Sequence, residues 1–236
     1  VSDAGGGKPD GGGHAAVLRT LMAVTLVSGI VDAVSYLGLG RVFTANMTGN
    51  VVVLGFAAAG AAGFSAPASL TSLGAFLLGA VCAGRLATHV ATRSRLLTLT
   101  MAIEAAAIGV AAAVAFLAAT IASGWGRYTV IGVLGFAMGL RNATVRRIAI
   151  PDMTTTVLTM TLTGLAADSF LAGGTSERTG RRASSVAAML IGAFAGAALY
   201  LHIGPGMPLV IAAVVVAGAV TAFRLSSAPH MLDAPR

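Results

Sequence analysis

Several apolar runs in this chain approach or exceed the ~20 residues that a helix needs to cross the hydrocarbon core of a bilayer. The sequence is 56% hydrophobic and 10% charged, and its mean hydropathy is +0.89. This balance lies far outside that of soluble domains. Because backbone amides in lipid must be satisfied within helices, the chain is predicted to be an all-α polytopic membrane protein.

The formal net charge of +7 at pH 7 would suggest a nucleic-acid partner in a soluble chain. In a membrane protein, basic residues flank the spans and set the topology, so no nucleic acid is expected. The sequence has no nucleotide fingerprint, P-loop, serine elbow or zinc motif. We therefore expect no cofactor, no metal site and no ATP-driven pump, and the lone Cys82 excludes an intramolecular disulfide.

Eight apolar segments are predicted along the chain. They cover residues 17–38, 47–63, 68–90, 97–119, 128–148, 153–167, 184–203 and 207–224. A polar link at 123–127 divides them into two halves. The predicted organisation is a disordered cytoplasmic tail, two membrane repeats and a second cytoplasmic tail. Their ranges are 1–16, 17–122, 123–225 and 226–236.

The two halves share a motif. The segment RVFTANMTGNVVVLG at 41–55 and the segment IPDMTTTVLTMT at 150–161 both open with polar residues and continue into an apolar run. When Asn46 is aligned with Asp152, three further positions in the motif match. The same alignment pairs Gly29 with Gly135 upstream. An internal repeat is therefore predicted.

Two longer phrases carry a family resemblance: DAVSYLGLGRVFTANMTGNVVVLGFA at 32–57 and MGLRNATVRRIAIPDMTTTVLTMTLTGLAAD at 138–168. They resemble the YoaK-like family of bacterial membrane proteins, designated domain of unknown function 1275. The resemblance extends over residues 17–224. It implies a polytopic inner-membrane protein and no particular activity, so function has to be argued from the residues.

The topology depends on whether the short segments 47–63 and 153–167 cross the bilayer. If both cross, the chain has eight spans in a 4+4 parallel repeat, and its basic residues divide eight to seven between the two faces. If both return to the face they entered, six helices span and the division is thirteen to two, with Arg41 and Arg127 as exceptions. Since basic residues concentrate on the cytoplasmic side, we predict six transmembrane helices plus two re-entrant segments, with both termini cytoplasmic in the bacterial inner membrane.

Three spans per half is an odd number, so the second repeat is predicted to be inverted relative to the first. A 3+3 inverted repeat with broken elements meeting near the midplane is a recurring design of transporters. Non-helical backbone at that depth persists only where protein buries it or where it lines a watery cavity. We therefore expect the motif segments 44–50 and 151–156 to meet in space.

Polar residues in the two motif segments are the candidates for contact with a solute. Asn46 and Asp152 each precede an apolar half-helix, so one interpretation is simple N-capping. The other is that two half-helix N-termini, with their partial positive charges, converge on a substrate. Hydroxyls are dense in the same segments, and we interpret them as a polar lining in preference to ordinary helix packing. The lining candidates are Thr44, Thr48, Asn50, Thr154, Thr155, Thr156, Thr159, Thr161 and Thr163.

Asp32 lies within an otherwise apolar helix, where an ionisable group predicts a functional site. The alternative is a structural hydrogen bond to a neighbouring helix end. The position paired with Asp32 in the second half is Met138, and Arg141 and Asn142 follow just beyond. The predicted repeats are therefore chemically unequal, which suits an asymmetric or charged substrate.

Other features predict helix packing. Arg85 and Glu104 are expected at similar depth and are interpreted as a structural ion pair. The small-xxx-small patterns at 135–139 and 192–196 allow helices to approach closely, within one protomer or in a homo-oligomer.

The leading functional prediction is an inner-membrane transporter or channel for a small solute, passing between the two motif segments, with Asp32 and Asp152 as carriers of a coupling proton or cation. Two alternatives remain open at this stage. One is an intramembrane enzyme that acts on a lipid or isoprenoid through the same carboxylates, and the other is a non-catalytic membrane scaffold. A path open to both sides favours transport, a lateral cleft favours an enzyme, and a scaffold needs no polar cavity.

Overall fold

The computed structural model describes residues 11–117, 124–148, 158–173, 179–226 and 232–233 of the chain, and this part is helical. It contains eight α-helices, followed in order along the chain. They are α1 (Gly11–Gly38), α2 (Met47–Ala58), α3 (Ala66–His89), α4 (Arg93–Leu117), α5 (Gly124–Ile148), α6 (Leu158–Ala167), α7 (Thr179–His202) and α8 (Gly206–Leu225). A single 3-10 turn, Phe170–Ala172, follows α6.

The order of the helices agrees with the sequence prediction, and some of the bounds differ. Helix α1 begins at Gly11, inside the segment 1–16 that was predicted to be a disordered tail. Helix α2 ends at Ala58 and is shorter than the predicted segment 47–63, because Gly60 and Gly63 adopt positive φ and turn the chain. Residues 1–10, and the predicted start of the segment 153–167, lie outside the described residues.

Five helices are long and apolar enough to cross a membrane: α1, α3, α4, α7 and α8. Helix α5 is as long as α4, with 25 residues, but it carries Arg141 and Asn142 in its buried face. Helices α2 and α6 have only 12 and 10 residues. The chain is therefore a helical membrane protein whose long elements alternate with two short apolar helices.

The helices pack across the two halves of the chain. Helix α1 packs along α7, and α5 packs along α3. Helix α4 lies between α5 and α8, and α8 in turn contacts α1. Each short helix packs on the long helix that follows it, α2 on α3 and α6 on α7. Each half therefore completes its packing only against the other half.

Glycines mark the closest helix contacts, and these contacts are equivalent in the two halves. A Cβ on Gly29 would collide with the carbonyl oxygen of Met189, and a Cβ on Gly139 would collide with that of Phe76. Gly139 follows Gly29 by 110 residues, and Met189 follows Phe76 by 113. The counterpart of Gly29 is therefore Gly139, and the predicted pairing with Gly135 is wrong.

A second pair of contacts has the same register. Gly192 faces the carbonyl oxygen of Leu26, and Gly79 faces that of Phe136. Phe136 again follows Leu26 by 110 residues, and Gly192 again follows Gly79 by 113. At each contact a glycine lies directly against a carbonyl group of the facing helix, so the two helices cannot slide along each other. This register is therefore determined by packing and not by the motif alignment.

Helices α1 and α5 run in opposite directions. Near the start of α5, Nε of Arg127 donates to the carbonyl oxygen of Leu39, just beyond the end of α1, at 2.9 Å. Farther along α5, a terminal nitrogen of Arg141 donates to the carbonyl oxygen of Val24 at 3.1 Å. As the number rises on α5 it falls on α1, so the two equivalent helices are antiparallel.

The close glycine contacts generate a stability prediction with a control in the same helix. Replacing Gly79 by Val places a branched side chain against the backbone of Phe136, which cannot move without displacing α5. Gly84 has no neighbour within 4 Å of an added Cβ. Thermal unfolding of the detergent-purified protein should show Gly79→Val destabilised by about 1–3 kcal/mol or more, and Gly84→Val close to wild type. Equal effects of the two substitutions would contradict the observed packing of α3 on α5.

Candidate functional site

Asp32 is 5% exposed and lies six residues before the end of α1. Its Oδ1 accepts hydrogen bonds from the backbone amides of Thr44, at 3.0 Å, and Ala45, at 2.8 Å. Its Oδ2 accepts from the side-chain amide of Asn46. One carboxylate thus collects three donors from the extended segment that leads into α2, and it holds that segment inside the bundle.

Asn46 occupies the N-cap position of α2, but its side chain does not cap the helix. It donates to Asp32 instead, so the capping interpretation for Asn46 is wrong. The physical reason is that a carboxylate is a stronger acceptor than an amide oxygen and attracts both the backbone amides and the Asn46 amide group. The acceptor for the entry to α2 is therefore supplied by α1.

A second set of polar side chains fixes the same segment from α2 and α3. The amide of Asn50 binds the backbone of Phe43 twice: its oxygen accepts from the Phe43 N–H at 2.8 Å, and its nitrogen donates to the Phe43 carbonyl at 2.5 Å. Ser72 of α3 also donates to that carbonyl, at 2.7 Å. One turn before Ser72, the buried hydroxyl of Ser69 has no hydrogen-bond partner in the described part of the chain.

The threonines of the motif segments have different environments. Thr44 is fully buried, and its hydroxyl donates to Ser35 at 3.4 Å. Thr48 is exposed on α2. In α6, the hydroxyl of Thr163 bonds back to the carbonyl of Thr159 at 2.9 Å, which is the ordinary intrahelical pattern. Of these four, Thr44 alone lies with the buried polar residues.

A buried ion pair lies on the same face of α1 as Asp32, about one to two turns nearer the start of the helix. Arg141 of α5 is 1% exposed and binds Glu104 of α4, itself fully buried, at 2.9 Å. Its guanidinium also donates to the hydroxyl of Ser28 at 2.7 Å and to the carbonyl oxygen of Val24. Nε of Arg141 and Oε2 of Glu104 have no partner among the described residues. The pair joins α1, α4 and α5 at one point.

The predicted ion pair between Arg85 and Glu104 is wrong. Glu104 lies eleven residues beyond the start of α4 at Arg93, about 16 Å along the helix axis at 1.5 Å per residue. Arg85 lies only four residues before the end of α3 and is exposed. Arg85 and Glu104 are therefore at different depths, and Glu104 instead pairs with Arg141 of α5.

The candidate residues are distributed over two neighbouring clusters and one segment that is not described. Asp32, Thr44, Asn46 and Asn50 come together around the extended entry to α2. Arg141 belongs to the ion-pair cluster, and Asn142 is buried beside it in α5. The remaining candidates, Asp152, Thr154, Thr155 and Thr156, lie outside the described residues, as does the predicted meeting of 44–50 with 151–156.

The packing of the helices changes which residue of the second half is equivalent in position to Asp32. A shift of 110 residues places Asn142, and not Met138, at the position equivalent to Asp32. The two halves therefore carry an acid and its amide analogue at equivalent positions. They remain chemically unequal, as the sequence predicted.

Glu104, Ser28, Ser35 and Ser72 were not among the candidates for this site. Glu104 did carry a signal, since it is the one acidic residue in a 25-residue apolar helix, as Asp32 is in α1. Ser28 and Ser35 carried a weaker signal, as polar neighbours of Asp32 in the same helix, and Ser72 carried none, because a serine in an apolar helix can always bond to its own backbone. Only the packing shows which of them meet Arg141, Thr44 and Phe43.

The buried charges do not balance in the described part of the chain. Asp32 and Glu104 supply two carboxylates and Arg141 supplies one cation. Arg141 directs its hydrogen bonds to Glu104, Ser28 and Val24, and none of the hydrogen bonds described for Asp32 comes from Arg141. Among the described residues there is no group of three or more His, Cys, Asp or Glu side chains suited to a metal ion. The chemistry available is thus that of carboxylates, one guanidinium, amides and hydroxyls.

Comparison with known proteins places the chain in a family. The profile described as "Protein of unknown function (DUF1275)" matches residues 20–222, a range that contains both clusters. The chain belongs to this family. It is 34% identical over 157 residues to the UPF0700 transmembrane protein YoaK of Bacillus subtilis (strain 168), an alignment that covers 65% of this chain and 68% of that protein. No solved structure matches the chain.

Membership in the DUF1275 family agrees with the helical architecture, because the Bacillus relative is described as a transmembrane protein. The chain is therefore a multi-pass membrane protein, as both the family resemblance and the hydropathy predicted. The clusters around Asp32 and Arg141 are accordingly polar sites inside an apolar bundle, where ionisable groups are costly and mark function.

The ion pair generates a prediction that a double mutant cycle can check. Arg141→Gln leaves the Glu104 carboxylate buried without a counter-charge, which costs about 3–5 kcal/mol in comparable buried pairs. Replacing both residues by Gln removes both charges and leaves two amides that can bond to each other. We expect the double variant to be more stable than Arg141→Gln alone, measured by thermal unfolding in detergent. Strictly additive losses would show that the two side chains do not interact.

Proposed function

We propose that this DUF1275 protein is an inner-membrane transporter or channel for a small solute, coupled to a proton or cation. The observation that carries the proposal is the cluster around Asp32, where a carboxylate within the bundle holds the non-helical backbone of Thr44 and Ala45 and the side chain of Asn46. Non-helical backbone at membrane depth is tolerated where it is buried in protein or lines a watery path. A site of this kind suits passage of a solute.

The geometry of α2 supports a re-entrant segment. The chain leaves the end of α1, returns along it as an irregular, non-helical segment to Asp32, and begins α2 there, about 9 Å inside that end at 1.5 Å per residue. After α2 the chain is again beside the end of α1, because the guanidinium of Arg41 lies 5.6 Å from the ring of Phe64. Twelve residues span about 18 Å, too little for a hydrocarbon core of ~30 Å. We infer that α6, with ten residues, has the same role in the second half.

The antiparallel arrangement of α1 and α5 supports an inverted repeat. Equivalent helices of a parallel repeat would run in the same direction, whereas those of an inverted repeat run oppositely around an axis in the membrane plane. Gly29 and Gly139 make equivalent contacts with α7 and α3. We place the pseudo-two-fold axis near these two glycines, so Asp32 lies about one turn from the midplane. This favours the 3+3 inverted arrangement over the 4+4 parallel one.

The distribution of basic residues supports the orientation. Arg141 is buried, so it does not count among the basic residues that flank the spans. Twelve Lys and Arg residues then lie on one face, and Arg41 and Arg127 lie on the other. Such a bias is typical of the cytoplasmic side of a bacterial inner membrane. Asp233, which follows α8, binds Ser94 at the start of α4, on the same basic face. We therefore propose that both termini are cytoplasmic.

The unequal count of buried charges supports coupling. Two carboxylates against one guanidinium leave one negative charge without a counter-charge in the described bundle, and isolated charges in apolar surroundings are strongly unfavourable. A proton or a small cation would neutralise it. When the ligand is a proton on Oδ2 of Asp32, that oxygen becomes a donor and loses its contact with the Asn46 side-chain amide, and Oδ1 holds the amides of Thr44 and Ala45 less strongly because the charge is gone. Binding of the proton would then change the position of the extended segment beside the solute path.

In this proposal the solute contacts polar groups of both motif segments. From the first segment these are Asp32, Thr44, Asn46, Thr48 and Asn50, and from the second half Arg141, Asn142, Asp152, Thr154, Thr155 and Thr156. The unpaired atoms of Glu104, Arg141 and Ser69 add hydrogen-bonding capacity that the described protein does not satisfy internally. Buried polar groups of this kind are normally paired, so a solute or water molecules would complete them.

The topology can be checked with single cysteines in a Cys82→Ala background. Ala61, beyond the end of α2, and Thr92, between α3 and α4, are both exposed. In intact spheroplasts we expect a membrane-impermeant maleimide to label Ala61→Cys, and to label Thr92→Cys only after permeabilisation. If α2 crossed the membrane, Ala61→Cys would be protected as well, and the eight-span arrangement would replace the re-entrant one.

Transport can be checked in proteoliposomes. A thermal-shift screen of the purified protein against ions and metabolites selects the solutes, whose uptake is then followed together with the internal pH. We expect uptake of at least one stabilising solute that responds to an imposed ion or pH gradient, and we expect Asp32→Asn to abolish that response. The matched control is Asp168→Asn, because Asp168 is 60% exposed and pairs with Arg182 at the end of α6, away from the cluster around Asp32.

Asp32→Asn must first be shown to fold, by size-exclusion chromatography and by retention of most of the wild-type melting temperature. A folded variant with undiminished gradient response would rule out Asp32 as the coupling group. Absence of flux for every stabilising solute would rule out transport. Turnover of bilayer lipids by the wild-type protein in the same liposomes would support the enzymatic alternative instead.

A further inference from the structure

A groove of about 520 Å³ lies between the start of α4 and the end of α8. Its lining comes from both helices: Ser94, Arg95, Thr98, Leu99, Ala102 and Arg224. The two helices pack against each other along their length, so the groove is a fixed feature of their interface. It is separate from the clusters around Asp32 and Arg141, whose residues do not line it.

The mouth of the groove is positively charged. Arg95 and Arg224 are both exposed, and neither has an acidic partner in the part of the chain that the structure describes. Arg224 stands in the last turn of α8, and Arg95 in the first turn of α4. Because both helix ends lie at the same face, the two guanidinium groups flank one opening.

Asp233 is the acidic residue nearest to this opening, and its carboxylate is already engaged. It accepts hydrogen bonds from the backbone amide of Ser94, at 3.0 Å, and from the Ser94 hydroxyl. Partial burial acts to raise the pKa of Asp233, but the hydrogen bonds from Ser94, Thr92 and Arg93 outweigh it and hold the pKa below its ordinary value. Asp233 therefore stays ionised on the first turn of α4, and an incoming anion has to bind the arginines.

The wall below the arginines is apolar. Leu99 follows Arg95 by four residues and Ala102 by seven, so both continue the same helix face toward the middle of the bilayer. From Arg95 to Ala102 the groove extends about 10 Å along α4 at 1.5 Å per residue. The site therefore joins two cations at the level of the lipid headgroups to an apolar channel at the level of the acyl chains.

We propose that the groove between α4 and α8 binds an anionic phospholipid, with the phosphate between Arg95 and Arg224 and one acyl chain along Leu99 and Ala102. Basic pockets between transmembrane helices are suited to lipid phosphates because the guanidinium fork pairs with phosphate oxygens. A free phosphate would use the arginines and leave the apolar wall exposed. The apolar wall is thus the reason for choosing a lipid over a soluble anion.

The experiment uses the full-length protein in mixed micelles that contain either phosphatidylglycerol or phosphatidylcholine. We expect phosphatidylglycerol to raise the melting temperature above its value in phosphatidylcholine, and the gain to shrink as salt rises, since exposed charges are screened. Native mass spectrometry should show one retained phosphatidylglycerol. Arg95→Gln and Arg224→Gln should each weaken its binding about fivefold, which corresponds to the ~1 kcal/mol typical of one basic side chain near an anionic lipid.

Arg146→Gln is the matched control, because Arg146 is an exposed arginine at the end of α5 that does not line the groove. It should keep the full phosphatidylglycerol effect. An equal loss in Arg146→Gln would show that the lipid responds to general surface charge and would overturn the proposal. Inorganic phosphate should give no gain, and a gain equal to that of phosphatidylglycerol would show that the site takes a soluble anion. Wild-type binding in both groove variants would also overturn the proposal.

Discussion

The ion pair between Arg141 and Glu104 is the interaction on which the arrangement of the bundle depends. A guanidinium that is 1% exposed in an apolar interior is tolerated only if its charge and its hydrogen bonds are met nearby. Arg141 meets this requirement with Glu104 of α4 and with Ser28 and Val24 of α1. A single side chain thereby determines how deep α5 lies relative to two other helices, one of them more than a hundred residues away in the sequence.

Glycine contacts fix the positions of the helices together with the ion pair. Gly29 and Gly192 bring α1 against α7, and Gly79 and Gly139 bring α3 against α5, in each case with backbone touching backbone. Helices in lipid gain little from hydrophobic association, so close packing and polar contacts provide the stabilisation. Because each contact joins one half of the chain to the other, neither half forms a packed unit alone.

The fold links the site around Asp32 to this frame. Asp32 lies in α1, the helix that also contains the residues that bind Arg141. Its carboxylate accepts hydrogen bonds from the backbone amides of residues 44 and 45. A change in the charge of Asp32 would therefore act on the extended segment, while the ion pair and glycines keep the surrounding helices in place. A polar segment whose hydrogen bonds depend on the charge of Asp32, held within a bundle of closely packed helices, is the arrangement that the transport proposal needs.

The sequence by itself determined the class of protein and the number and order of its helices, and it singled out Asp32, Asn46 and Asn50, which the structure brings together. Hydropathy and polarity act locally, and a charged residue in an apolar run is informative wherever it occurs. Only the tertiary structure decided the partners. It showed that Glu104 pairs with Arg141 instead of Arg85, and that Asp32 rather than Asn46 accepts the hydrogen bonds of the segment that leads into α2. It also made Asn142, instead of Met138, the residue of the second half that is equivalent in position to Asp32. These pairings depend on how far one helix is shifted along another, a distance set by glycine contacts that join residues more than fifty positions apart in the chain.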